Sequence, residues 1–128
     1  MTVHEIRLPW PKPPLSLNDR MHPKQKARAV RAVRSVAAAF VRAAHIPPAS
    51  RIRVTLTYHP RDSRRRDEDN LVATLKPICD GIVDAGVVVD DDPAHMAKDM
   101  PVIATPDTKD PRVLLIIEVL EGESDGAP

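Results

Sequence analysis

At 128 residues, with 42% hydrophobic content and a net charge of +1, the chain has the size and composition of one folded domain, not of a disordered or fibrous protein. Its single cysteine, Cys79, excludes an internal disulfide. With no signal-peptide core and no apolar run of spanning length, this points to a cytoplasmic protein without a membrane segment. The aromatic residues are Trp10, Phe40 and Tyr58 alone, so the core is left to aliphatic side chains and a base-stacking platform is not expected.

Residues 3–8, "VHEIRL", read as a first strand. Five prolines between 9 and 23, in "PWPKPPLSLNDRMHP", exclude a helix or an inner strand and predict an extended, ordered surface loop. From Lys24 to Ala44, the apolar positions Ala27, Val30, Val33, Ala37, Phe40 and Ala44 recur at three- and four-residue steps, which predicts an amphipathic helix. Lys24, Arg28, Arg31 and Arg42 fall on its opposite side. Such a stripe is more often a solvated face than a phosphate contact. The pair Pro47-Pro48 closes the helix. "RIRVTLTYH", 51–59, alternates with Ile52, Val54, Leu56 and Tyr58 on one side, the pattern of a half-buried strand. A second helix is predicted over 69–85, with Leu71, Leu75, Ile78 and Ile82 as its core stripe and Gly86 as its stop. "VVV", 87–89, suggests a brief extended stretch, 95–104 a weak strand, and "RVLLIIEVL", 112–120, a strong one covered on both faces. The sum is an α/β (α+β) domain over 1–121, a small mixed β-sheet with two helices in the order β-α-β-α-β-β. A disordered tail is expected over 122–128.

The charge is divided along the chain. Residues 1–66 hold 15 Lys and Arg against 3 Asp and Glu, whereas residues 67–128 hold 4 against 15. A basic half is the electrostatic footprint of a polyanion partner, although halves of a sequence need not be halves of a fold. The two regimes meet at "RRRDEDN", 64–70. Taken alone, this heptad is an exposed loop whose charges neutralise one another.

Asp69 suits a place at or near the N-cap of the second helix, where its carboxylate would accept backbone N–H groups. On a helical wheel Asp69, Ala73, Lys76 and Asp80 lie within about 60° of one another, opposite Leu71, Ile78 and Ile82. After Gly86 the chain turns back through "DAGVVVDDD", and a short return strand would bring Asp90 or Asp91 beside the start of that helix. Carboxylates converging from separate elements repel unless a cation lies between them, and an all-oxygen set suits Mg²⁺ or Mn²⁺. An EF-hand loop counted from Asp67 would place Val72 where Gly is required and Ile78 where Glu is required, so that motif is excluded. A dehalogenase-type D-x-D motif follows an apolar strand, whereas Arg64, Arg65 and Arg66 precede this one.

"RRRDEDN" followed by Lys76, Asp80, "DAG" and "DD" resembles the RusA family of Holliday-junction resolvases. The order of features is also similar, from the "PPLSLN" segment through a basic helix to the acidic pair, over about 6–119. The resemblance implies a small, homodimeric, Mg²⁺-dependent endodeoxyribonuclease of bacteria or phages, with Mn²⁺ able to substitute. Such an enzyme nicks two strands of a four-way DNA junction symmetrically. Carried over, Asp67, Asp69 and Asp91 are the expected metal ligands, with Asp90 as substitute for the last, and Lys76 is the expected catalytic lysine. The family's commoner lysine follows the asparagine by three residues, a place held here by Ala73. Asn70 and Asp80 would support the site. Arg64, Arg65 and Arg66, with Lys24, Arg28 and Arg31 of the first helix, would meet DNA phosphates. Other branched DNA, or DNA binding without catalysis, are the alternative readings. The scattered His4, His22, His45, His59 and His95 have no metal-ligand spacing, though His95 near the acidic run is a candidate for a supporting contact, and Cys79 is expected in the core.

Overall fold

The chain runs β1 (Thr2–Arg7), α1 (Pro23–Ala43), β2 (Ile52–His59), α2 (Asp69–Asp84), β3 (Met96–Lys98), β4 (Val102–Ile103) and β5 (Arg112–Val119). These elements are seen in a computed structural model that describes residues 2–15, 20–66 and 68–120, without the side chains of Asp69 and Asn70. The expected tail at 122–128 and residues 16–19 of the proline-rich segment lie outside the described residues.

The fold is mixed α+β, as the periodicities imply, with one sheet in the order β1-β5-β2-β3 and β4 paired further along β2. β5 lies antiparallel between β1 and β2, while β3 and β4 run parallel to β2. The weak strand expected at 95–104 is two strands, so the order is β-α-β-α-β-β-β. Met96–Lys98 pairs with Ile52–Val54, and Val102–Ile103 pairs with Thr57–Tyr58. Pro101 separates them and has no N–H for the ladder.

Ile6, Val54, Leu56, Val113, Leu115 and Ile117 form a single buried cluster with Val33, Ala37 and Val41 of α1 and Leu71, Ile78 and Ile82 of α2. β5 was expected to be covered on both faces. Instead Val113, Leu115 and Ile117 are fully buried, whereas Leu114 and Ile116, on the other side of the pleat, are half-buried. Its apolar run reflects one packed face and one partly wet face. The buried stripe of α1 is also rotated from the expected one. Val33, Ala37, Ala38 and Val41 are buried, while Ala27 and Phe40 are exposed.

Local chemistry explains the ends of the helices. Pro23 sits at the first position of α1, and His22 Nδ1 accepts the N–H of Lys24 at 3.1 Å. His45, at φ 54°, takes the left-handed conformation that closes α1 ahead of Pro47 and Pro48. Gly86, at φ 85°, closes α2 as expected. Its N–H bonds to the carbonyl of Val83 at 2.9 Å, and the N–H of Val87 bonds to that of Ile82 at 3.4 Å. The carbonyl of Val87 accepts the N–H of Ala49 at 2.7 Å, so these backbone groups are spent before any strand can form. Residues 87–89 are accordingly bends, with Val87 and Val88 buried and Val89 exposed.

Three contacts seat α2. Pro77 lies inside the helix, and the buried stripe around it offsets the lost intrahelical bond. Gly81 faces α1 so closely that a Cβ there would stand 2.7 Å from the carbonyl oxygen of Arg34 and 2.9 Å from Ala37 Cβ. Buried Thr74 donates its hydroxyl to the carbonyl of Leu15 at 3.2 Å and accepts the Leu15 N–H at 3.3 Å, tying the proline-rich loop to the helix.

Candidate functional site

The core stripe of α2 turns Lys76 outward, and its Nζ lies 3.1 Å from Asp80 Oδ1 and 3.0 Å from Asp91 Oδ2. Asp91 comes from the bends after α2, fifteen residues away in sequence. β3 supplies a second ammonium group, Lys98 Nζ, 3.1 Å from the same Asp91 oxygen. The two lysines hold the Asp91 carboxyl down at about 2, well below the usual carboxylate range. Asp91, and after it Asp80, raise the pKa of Lys76. A carboxylate therefore stands ionised between two cations, on elements fixed by the core. Beside it is a hollow of about 270 Å³ lined by Arg51, Asp91, Pro93, Met96, Ala97 and Lys98.

The return to α2 differs from the expected one. No strand forms between 87 and 95, and Asp91 meets the Lys76–Asp80 stretch rather than the start of the helix. Lys76 lies about 10.5 Å along the axis from Asp69 at 1.5 Å per residue. Ala73, where the commoner lysine would stand, is partly buried against the core. Asp69 is the first residue of α2, next to the N-cap as expected. Glu68 holds the cap position and makes no side-chain capping bond. Asp67 and the side chains of Asp69 and Asn70 lie outside the described residues. Among the described residues, no group of three or more His, Cys, Asp or Glu side chains stands close enough to hold a metal ion.

The other acids of the run face elsewhere. Asp90 Oδ1 accepts the N–H of Asp91 at 2.7 Å, a local turn bond. Asp92 Oδ1 meets the backbone N–H of His95 at 3.1 Å and its Nδ1 at 2.5 Å, so the described partner of His95 is Asp92 and not Asp91. Cys79 is fully buried and burial pushes its thiol up to about 12, which fits a core residue.

Arg64, Arg65 and Arg66 stand at the far end of β2. Arg64 Nε bonds to Asp62 Oδ2 at 3.2 Å, and a nitrogen of Arg66 bonds to Asp62 Oδ1 at 2.8 Å. Arg61 Nε adds a third approach at 3.5 Å. Hydrogen bonds from Arg66, and after it Arg64, drive the Asp62 carboxyl far below the usual range. Arg65 is exposed, as are Lys24, Arg28 and Arg31 on α1. Arg42, grouped with that stripe from the sequence, instead turns to α2 and donates to the carbonyl of Asp84 at 3.1 Å. The division of charge along the sequence is also partly undone in the fold. Arg7 pairs with Asp110, Arg34 with Asp84 at 2.6 Å, and Arg53 with Asp99 at 3.8 Å.

Sequence reasoning missed Lys98 and Asp62. Lys98 had a legible signal, being the one lysine or arginine between 77 and 108. Asp62 is likewise the lone acid among the basic residues from Arg51 to Arg66.

No protein-family profile matches the chain. It is similar to an uncharacterized protein of Xylella fastidiosa (strain Temecula1 / ATCC 700964), 33% identical over 88 residues. The match takes in 65% of this chain and 58% of that protein, so the chain spans less than two thirds of the relative's length. Among the described residues, no helix is long and apolar enough to cross a membrane.

Proposed function

We propose that the protein is a divalent-cation-dependent endodeoxyribonuclease of branched DNA, acting as a cytoplasmic homodimer of the RusA type on four-way junctions. The observation that carries this reading is the meeting of Asp91 with Lys76 and Asp80. An acid from the far side of a turn stands on the polar face of the helix whose first residue is Asp69.

Asp91 suits a hard cation. Its donor atoms are oxygens, it is ionised at neutral pH, and the ammonium groups on it are monovalent charges that a divalent ion outcompetes. In the proposed site Asp67, Asp69 and Asp91 would hold Mg²⁺, with Asp90 as the substitute for Asp91, and Mn²⁺ would be able to replace the ion. Bound there, the ion supplies a Lewis acid and a water of lowered pKa. Lys76 would neutralise charge on the phosphoryl oxygens, and Asp80, 3.1 Å from its ammonium group, would keep that group aimed. Asn70 would support the site. Arg64, Arg65 and Arg66 oppose the repulsion between DNA and the acids, and Lys24, Arg28 and Arg31 extend the basic track. A twofold dimer offers two equivalent sites for a substrate with two equivalent strands.

A DNA-binding module without catalysis is the second reading, favoured by the two lysines already occupying Asp91. Asp69→Asn assayed on a synthetic four-way junction with Mg²⁺ separates the two. The nuclease reading expects binding retained and cutting abolished. Cutting that persists removes this constellation from the mechanism, and a wild-type protein that binds without cutting favours the module.

A further inference from the structure

Beyond the end of β2 lies a cavity of about 490 Å³ lined by Pro11, Lys12, Tyr58, Arg61, Arg64, Arg66 and Pro111. Four of its seven lining residues are cationic. Its walls come from three parts of the chain: the proline-rich loop after β1, the end of β2 with its following loop, and the turn before β5. Among the described residues, the carboxylate paired with its arginines is Asp62. The arginines differ in how firmly they are held. Arg66, whose side chain is 20% exposed, also donates to the carbonyls of Asp62 and Arg64 at 2.8 Å each, and so forms fixed wall. The side chains of Arg61 and Arg64 are 67% and 68% exposed, and among the described residues Asp62 is the side chain that holds them.

Asp62 thus offers two oxygens where a phosphodiester would offer two oxygens. Guanidinium groups pair with either anion in the same fork geometry. Lys12 also lines the cavity, whose volume accommodates a phosphate with part of its sugar. Tyr58 lies four residues along β2 from Val54, which stands in register with Lys98. At about 3.3 Å per residue, this sets the cavity roughly 13 Å along the strand from the Asp91 cluster. That is about four nucleotides of one DNA strand at 3.4 Å each.

We propose that this cavity binds a backbone phosphate of the DNA substrate, and that Asp62 is an internal stand-in anion which the phosphate displaces from Arg61 and Arg64. The inference rests on the DNA-directed reading above but not on catalysis. Without the phosphate, Asp62 half-neutralises the arginines of the site. Filled, Arg61, Arg64 and Lys12 clamp the phosphate while Asp62 turns to solvent.

The test is binding of a fluorescent four-way junction, measured by anisotropy in EDTA over a series of salt concentrations, for wild type, Asp62→Asn and Lys12→Gln. Displacement of a competing anion predicts that Asp62→Asn binds several-fold more tightly, with the slope of log affinity against log salt steeper by about 0.9. Lys12→Gln should bind more weakly, with the slope shallower by about 0.9. If Asp62 serves only to hold its loop, Asp62→Asn will bind equally or more weakly, and that result overturns the proposal. Should Asp62→Asn fail to fold, Lys12→Gln decides alone, and an unchanged slope overturns it. Calorimetry with deoxyadenosine monophosphate forms the second arm. Saturable binding that Lys12→Gln abolishes would assign the cavity to a free nucleotide instead. Because no cleavage is read, wild type that fails to bind DNA sinks the functional reading, whereas wild type that binds with unaltered variants sinks the cavity alone.

Discussion

Two carboxylates, Asp62 and Asp91, each sit inside a cluster of cations, and they are built in opposite ways. Asp62 is ringed by Arg61, Arg64 and Arg66, all within four residues of it. Asp91 is ringed by Lys76, fifteen residues before it on a helix, and Lys98, seven residues after it on a strand. The first cluster needs only a loop, so its contacts can be exchanged without disturbing the core. The second exists because α2 and β3 are packed where they are, so its geometry is set before any ligand arrives. Preorganisation of that kind is what a catalytic site requires, and exchangeability is what a clamp requires.

The comparison breaks most sharply at Asp91 itself. Asp91→Asn keeps the shape but removes the charge, and we expect Mg²⁺-dependent cleavage of a four-way junction to fall by more than about 100-fold, beyond the usual effect of removing an outer-shell partner. Thermal stability measured alongside would show whether the loss is chemical.

A smaller effect is expected at the seat of α2. Gly81→Ala would drive a methyl group to 2.7 Å from a backbone oxygen of α1, so the helices must separate. Urea unfolding should show a loss of about 1–3 kcal/mol. Because Lys76 and Asp80 ride on that helix while Asp62 does not, DNA binding should suffer less than cleavage.

The smallest effect is at Asp84, which joins the two helices through Arg34. The hydrogen-bonded guanidinium lowers the Asp84 pKa from its ordinary value of 3.8. The folded state therefore holds this proton less tightly than the unfolded chain does. The stabilisation is complete above about pH 4 and is lost as the pH falls through the folded value. Urea midpoints at pH 7 and pH 3 should differ less for Asp84→Asn than for wild type.

How much of this was legible in the sequence follows from what is local. The strands at 52–59 and 112–119 and both helices declare themselves by periodicity, and Gly86 by its backbone freedom. The division of 96–103 into two strands was less visible, because it depends on where β2 offers partners on either side of Pro101. The bond from Arg42 to the Asp84 carbonyl was not visible either, because a wheel fixes the angle of a residue on α1 but not the position of α2 against it. Lys98 was missed for the same reason. Its contact with Asp91 is created by β3 pairing beside β2, and no spacing within 87–98 encodes that neighbour.

The most direct test of the central claim is a crystal structure with Mn²⁺, read by anomalous scattering. The account expects an ion about 2.1 Å from an Asp91 oxygen, shared with Asp67 or Asp69, and at least one of Lys76 and Lys98 withdrawn from that carboxylate. Saturating Mn²⁺ that leaves both lysines on Asp91, with no ion in coordination range of it, would contradict the account.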